Sequence, residues 1–109
     1  MRDIDKKKWR RVISALKREF PAQRPVKVRT SRLKNAEAST VTGPTGSTIY
    51  ISSALNFSAA FDALAHEYSH VLDSHERFDD HDSQHGETWG VWYSRVYRAM
   101  LRVVEDKQW

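Results

Sequence analysis

Two histidines four residues apart, with a glutamate between them, are the residues of this sequence best suited to chemistry. They are His66, Glu67 and His70, in the segment His66-Glu67-Tyr68-Ser69-His70. On an α-helix, residues four apart lie on one face, so both imidazoles can reach a single cation. Zinc accepts neutral imidazole ligands at about 2.0–2.1 Å per bond. The spacing therefore predicts a zinc site on a helix.

The glutamate of this segment lies beside the predicted metal pair. Glu67 is rotated by about 100° from His66 around the helix axis. A carboxylate in that position can accept a proton from a water molecule that the metal activates. The alternative interpretation is two surface histidines that flank a solvated glutamate, with no metal.

A catalytic zinc needs a third protein ligand and one open position. The residues after the segment offer three histidines and four carboxylates: His75, His81, His85, Asp73, Asp80, Asp82 and Glu87. His75 lies just past the predicted helix end and would have to fold back. His81 and His85 follow a loop long enough to return the chain to the metal, so the spacing leaves both open.

The elements that must position these residues can be predicted from periodicity. A first helix, which Pro21 terminates, carries an apolar stripe at steps of three and four residues: Trp9, Val12, Ile13, Leu16 and Phe20. Alternation over residues 25–32 predicts a short strand. Residues 38–42 and 47–52 predict a hairpin around the turn Gly43-Pro44-Thr45-Gly46.

The histidine segment falls in the next predicted helix, over about residues 57–74, with Asn56 or Ser58 as its N-cap. A polar loop follows, and a last helix from His85 carries aromatic residues that we interpret as core. The sequence thus predicts a single α+β domain over residues 1–109. It comprises an N-terminal helix, a small three-stranded, mainly antiparallel sheet, the HExxH helix and a long C-terminal helix.

The composition excludes several other classes of protein. The chain has 109 residues and no cysteine, which excludes disulfides and thiolate metal sites. It shows neither a signal peptide nor about 20 consecutive apolar residues, so we predict a cytoplasmic protein.

Charge is distributed unevenly along the chain. Residues 1–35 hold 13 Lys and Arg against three acidic residues, whereas residues 36–109 hold five Lys and Arg against 11 acidic residues. The basic residues from 6 to 34 could contact phosphates or an acidic protein, or form a solvated surface.

The histidine segment, the acidic loop after it and the block His85-Gly86-Glu87-Thr88-Trp89 resemble the SprT-like (Spartan-type) zinc metallopeptidases and the wider minigluzincin-like group of zincins. The resemblance covers roughly residues 48–97. It implies that His85 is the third zinc ligand and that Trp89 is a core residue behind it. His81 remains the main alternative ligand.

The resemblance implies a zinc metalloendopeptidase with Glu67 as its catalytic base. It also implies that a strand near residues 47–52 binds extended polypeptide by edge pairing. An oxyanion-stabilising donor is expected, with Tyr93 and Tyr97 as candidates, although both also fit the core. An acidic side chain is expected to orient a zinc histidine, and the candidates are Asp62, Asp73 and Asp80.

Two features depart from the family pattern. Ser69 stands where these motifs usually carry an apolar residue, and the chain lacks the cysteine-based zinc ribbon that often follows the catalytic part. The family also makes DNA a candidate partner of the basic residues 6–34, because its members are linked to cleavage of proteins attached to DNA. A different class of function remains open: a nucleic-acid- or protein-binding module with a structural or vestigial zinc site. Glu67 favours the enzyme, because a structural site needs no carboxylate there.

Overall fold

A computed structural model of the chain describes residues 3–76 and 87–105. Its elements in chain order are α1 (Asp3–Glu19), β1 (Val26–Ser31), β2 (Ala38–Gly43), β3 (Gly46–Ser52), α2 (Phe57–Glu76) and α3 (Glu87–Glu105). The predicted α+β fold, with one helix, three strands and two further helices, is confirmed. No helix in these two ranges has the length and apolar character that crossing a membrane requires.

The three strands form a mixed sheet in the order β1-β3-β2. β2 and β3 are antiparallel and meet at the pair Gly43–Gly46, which confirms the predicted hairpin. β1 runs parallel to β3, so the prediction of a mainly antiparallel sheet is corrected: one strand pair is of each kind. The physical reason is that the buried strand β3, with Ile49 and Ile51, takes the centre of the sheet. β1 pairs with the edge of β3 that β2 leaves open, and because the chain reverses direction between β1 and β2 and again at the hairpin, β1 and β3 run the same way.

Gly46 makes the close approach of the hairpin to the start of β1 possible. Its φ angle is 148°, a conformation that residues with a Cβ rarely adopt. A Cβ at this position would lie 2.4 Å from the carbonyl oxygen of Pro25. The next residue, Ser47, donates its backbone N–H to that same oxygen at 3.0 Å. This contact sets the register of β1 on β3.

Helix α2 lies between the sheet and the other two helices. Asn56 caps its N-terminus, because its Oδ1 accepts the backbone N–H of Ala59 at 2.9 Å. On the core side, Tyr68 is buried and donates its hydroxyl to the carbonyl oxygen of Phe20 at 2.8 Å, which ties α2 to the end of α1. Burial raises the pKa of Tyr68 to about 12. His66, Glu67 and His70, which flank Tyr68 in the sequence, therefore stand on a helix that is anchored to α1.

Candidate active site

His66 and His70 face the same point in space. Their Nε2 atoms lie 3.2 Å apart, as the four-residue spacing on α2 predicts. Two zinc–nitrogen bonds of about 2.0–2.1 Å that meet at the tetrahedral angle place their nitrogens about 3.3–3.4 Å apart. At 3.2 Å the two rings can also share a proton in a direct hydrogen bond. The pair thus fits a common cation without rearrangement of either side chain.

An indole ring from α3 packs against both imidazoles. The ring centroid of Trp89 lies 5.2 Å from that of His66 and 5.4 Å from that of His70. Tyr93, one turn later, stacks on Trp89 at 5.0 Å, and Tyr97 stacks on Tyr93 at 5.7 Å. The four-residue spacing on α2 brings the two histidines together, and this aromatic column then limits the rotation of their rings.

Glu67 points toward the sheet. Its Oε2 accepts a hydrogen bond of 2.7 Å from the hydroxyl of Thr40, which stands 27 residues earlier on β2. Both side chains are half-buried. A hydrogen bond to a carboxylate is stronger than one between neutral groups, and this one fixes the direction of a flexible side chain.

A cleft of about 530 Å³ opens beside these residues. Its walls combine small residues with ionisable ones: Glu37, Ala38, Ala59, Asp62, Ala63, His66, Glu67 and Tyr93. The three alanines leave room for a ligand, and the carboxylates give the cleft an acidic character. His66, Glu67 and Tyr93 therefore bring an imidazole, a carboxylate and a phenol to the wall of one cleft.

The two candidate oxyanion donors are in different situations. Tyr93 lines the cleft, whereas Tyr97 is not among the residues that line it and lies near the carboxylate of Asp62. Burial raises the pKa of Tyr93, and the nearby negative charge of Asp62 adds to the shift. Burial and the same carboxylate also raise the pKa of Tyr97. Both hydroxyls therefore stay protonated at neutral pH, but Tyr93 has the better access to a ligand.

Ser69 is a polar residue at a buried position of α2. The residue is fully buried, and its hydroxyl donates to the carbonyl oxygen of Ala65, one turn earlier, at 2.6 Å. A buried hydroxyl with a backbone partner carries little cost, since its hydrogen bond is satisfied. The serine can thus occupy an apolar position without disturbing the helix.

The third zinc ligand remains a prediction. His85 and its alternative His81 lie outside the described residues, as do Asp80 and Asp82. Within residues 3–76 and 87–105, no group of three or more His, Asp or Glu side chains could hold one metal ion. The structure thus brings together two of the predicted ligands.

Two of the carboxylates predicted to orient a zinc histidine, Asp62 and Asp73, lie in the described part of the chain. Asp62 lines the cleft and lies near Tyr97, whose pKa is raised by burial and by this carboxylate. Asp73 is buried, and its Oδ1 makes no hydrogen bond with any residue that the structure describes.

The strand predicted to bind extended polypeptide by edge pairing, β3, has no free edge in this sheet. β3 is the central strand, and β1 and β2 already occupy its two edges. Among the described residues, β2 is an edge strand, and its Ala38 and Thr40 lie beside the cleft. An added strand could pair with the free edge of β1 or of β2, and of these two strands β2 is the one that contacts Glu67.

Part of the predicted basic surface forms a groove on α1, away from the cleft. The groove has a volume of about 600 Å³ and is lined by Lys7, Arg10, Arg11, Ser14, Ala15 and Arg18 of α1 and by Val103 of α3. These α1 residues recur at helical spacing and so share one face. Arg24, which also belongs to the predicted basic surface, contacts the hairpin instead of the groove: its guanidinium donates to the carbonyl oxygen of Gly43 at 3.4 Å.

Sequence reasoning missed the contribution of β2 to the site. Thr40 stands in a β-prone run with no pattern that distinguishes it from Thr42, and only the tertiary fold places it against Glu67. The one signal in the sequence is that Thr40 belongs to a hairpin strand that precedes the histidine helix.

Searches among family models, curated proteins and solved structures find no match to this chain, so the candidate site rests on its residues and their geometry.

Proposed function

We propose that the chain is a zinc-dependent metallopeptidase that hydrolyses peptide bonds in extended polypeptide. The observation that carries the proposal is the convergence of His66 and His70, whose Nε2 atoms are 3.2 Å apart, next to Glu67 in one cleft. The lack of cysteine suits work in a reducing compartment, and we propose a cytoplasmic location.

His66 and His70 would hold the zinc ion, with His85, or His81 in its place, as the proposed third ligand. Zinc would supply Lewis acidity, polarising the scissile carbonyl and lowering the pKa of water toward neutrality. Trp89 contributes by keeping both imidazoles in their converging orientation. The ligands then need little reorganisation when the metal binds.

Glu67 and Tyr93 would handle the proton and the developing charge. Glu67 accepts a proton from the attacking water and later donates it to the leaving amine. Tyr93 donates a hydrogen bond to the carbonyl oxygen as negative charge develops there. The raised pKa of Tyr93 supports this role, because the hydroxyl must carry its proton to act as a donor.

The substrate would bind as an extended strand along the free edge of β2. Pairing with a sheet edge recognises the backbone of a polypeptide and orients it in one direction. Since Ala38 of β2 lines the cleft together with His66, a peptide on this edge would pass the proposed catalytic groups. The proposal therefore favours polypeptide over a small-molecule substrate.

The ligand set can be tested by metal content and casein cleavage on the same samples. We expect the wild type to carry one zinc ion and to cleave casein, His85→Ala to lose both, and His81→Ala to retain both. The reverse result for the two variants would make His81 the ligand. Zinc retained equally by both variants, or held by His66, His70, His81 and His85 together with no open position, would sink the peptidase proposal.

We propose DNA as a second partner, because the α1 groove concentrates four cations, Lys7, Arg10, Arg11 and Arg18, on one face. Contacts with phosphates release counterions and weaken as salt rises. Fluorescence anisotropy with a duplex at 50 and 200 mM salt, chosen as roughly the range where such binding changes most, is the test. No binding at the lower salt would remove this proposal and leave the peptidase proposal intact.

A further inference from the structure

Thr40 is the residue of the sheet that touches the proposed catalytic base. Its hydroxyl donates to Oε2 of Glu67 at 2.7 Å. The contact joins β2, the edge strand beside the cleft, to α2, the helix that carries both histidines. No other hydrogen bond to this carboxylate is observed within residues 3–76 and 87–105.

We propose that Thr40 is a positioning residue that holds Glu67 in its catalytic orientation and couples it to the strand on which the substrate docks. This inference rests on the proposed peptidase function and adds a residue to it. Thr40 itself does not touch the reacting atoms. It acts through the carboxylate of Glu67.

The chemistry of the two side chains explains why this pairing suits the role. Glutamate has three rotatable side-chain bonds, whereas the β-branched threonine is restricted at χ1. The stiffer side chain can therefore fix the more flexible one. Because Thr40 uses Oε2, the second oxygen of Glu67 keeps its lone pairs available for a proton.

The place of Thr40 in the sheet sets the base relative to the substrate. Its partner on the central strand is Ile49, which is fully buried, so the backbone of β2 is well anchored on that side. A polypeptide paired with the opposite edge would take its position from the same strand that orients Glu67. Misplacement of a catalytic group by about 1 Å can lower a rate by about 100-fold. Positioning the peptide and Glu67 on the same strand should therefore raise the rate of cleavage.

The chain offers a matched control on the same strand. Thr42 stands two residues further along β2, and its hydroxyl makes a hydrogen bond of 3.0 Å with Ser47 instead of with the site. A Thr→Val change at either position removes a hydroxyl and preserves the branched shape. A difference between the two variants then reports the bond to Glu67 rather than a general effect on the strand.

The experiment compares wild type, Thr40→Val, Thr40→Ser and Thr42→Val by zinc content, melting temperature and the kcat and KM for cleavage of one peptide. We expect Thr40→Val to lower kcat by about 10- to 100-fold, the range of supporting partners in metal sites, with KM, zinc content and melting temperature near wild type. Thr40→Ser keeps the donor and should restore most of kcat. Thr42→Val should match wild type.

Two results would overturn the positioning role. One is a wild-type kcat in Thr40→Val, and the other is a kcat in Thr40→Ser as low as in Thr40→Val. If Thr40→Val melts early, Thr40→Ser against Thr40→Ala decides the same question. A wild type that holds no zinc and cleaves no peptide instead overturns the proposed function, and the role of Thr40 with it.

Discussion

Two depressions of similar size, the acidic cleft beside α2 and the basic groove on α1, differ in how their side chains are held. The cleft measures about 530 Å³ and the groove about 600 Å³. The cleft receives side chains from β2, α2 and α3, and they are fixed by the contact of Thr40 with Glu67 and of Trp89 with the histidines. The cations of the groove all come from α1.

This difference matches the two proposed roles, catalysis in the cleft and attraction of phosphates by the groove. Catalytic groups must be held within a fraction of an ångström, which requires support from several elements. Long lysine and arginine side chains on one helix keep their mobility and act through charge, which salt screens. We therefore expect the cleft to respond sharply to single substitutions and the groove to respond weakly to them.

The largest effect is expected at the histidine pair. His70→Ala should abolish stoichiometric zinc binding and reduce peptide cleavage by more than the 10- to 100-fold that loss of an outer-shell partner causes. The fold should persist, because His70 is only half-buried. Isothermal titration with zinc and circular dichroism check the two statements. Unchanged zinc affinity in a folded variant would contradict the account of the cleft.

A smaller loss is expected at the proposed donor of the cleft. Tyr93→Phe should lower kcat by about 100-fold, the effect of removing one oxyanion donor, with zinc content unchanged. Tyr97→Phe is the control, because Tyr97 stacks on Tyr93 but is not among the residues that line the cleft. Steady-state kinetics on one peptide compares them. Equal losses in both variants would assign the effect to the aromatic column and not to a hydroxyl in the cleft.

The groove should give a weaker and salt-dependent response. The double change Arg10→Gln and Arg11→Gln should reduce duplex binding several-fold and lower the slope of log K against log salt by about 2, since each phosphate contact contributes about 0.9. Cleavage of an uncharged peptide should remain at the wild-type rate. Binding titrations over a salt series measure the slope. A loss of peptide cleavage would show that the two depressions are not independent.

The smallest effect is expected at Tyr68, which stands between the two histidines in sequence but faces the core. Tyr68→Phe should cost about 1 kcal/mol of unfolding free energy, the net value of one hydrogen bond, and leave zinc binding intact. The folded pKa of about 12 lies above the ordinary value of 10, so the folded state retains its proton longer. The stability that the protonated Tyr68 gives the folded state is complete below pH 10 and is lost as pH rises toward 12.

Urea denaturation at pH 8 and at several values above pH 10 tests this last expectation. Wild type should lose more stability over the alkaline range than Tyr68→Phe. An identical alkaline loss in both proteins would mean that Tyr68 is not the group responsible. Changed zinc affinity in the variant would contradict the separation of the core face of α2 from its site face.

The sequence predicted what depends on local periodicity. The stripe of α1, the hairpin at Gly43–Gly46 and the Asn56 cap follow from residue types and spacings within a few positions of one another. The convergence of His66 and His70 belongs to this group, because one helical turn determines it. Such features need no knowledge of which elements become neighbours.

The features that the sequence did not predict depend on distant neighbours. The central place of β3 and the parallel partner β1 reflect the packing of whole strands, which alternation alone does not specify. The bond between Thr40 and Glu67 spans 27 residues, and nothing in either local sequence marks it. Alternation likewise does not show that β3 is central, so the sequence predicts edge pairing at a strand that has no free edge.

The central claim is that Glu67 performs proton transfer at a zinc site, and one comparison tests it most directly. Wild type and Glu67→Gln are assayed together for zinc content, melting temperature and peptide cleavage. The account predicts equal zinc and similar melting temperatures, with cleavage in the variant lower by about 10²- to 10⁴-fold, the usual contribution of a general base. Cleavage by Glu67→Gln at the wild-type rate, or a wild type that neither holds zinc nor cleaves peptide, would contradict it.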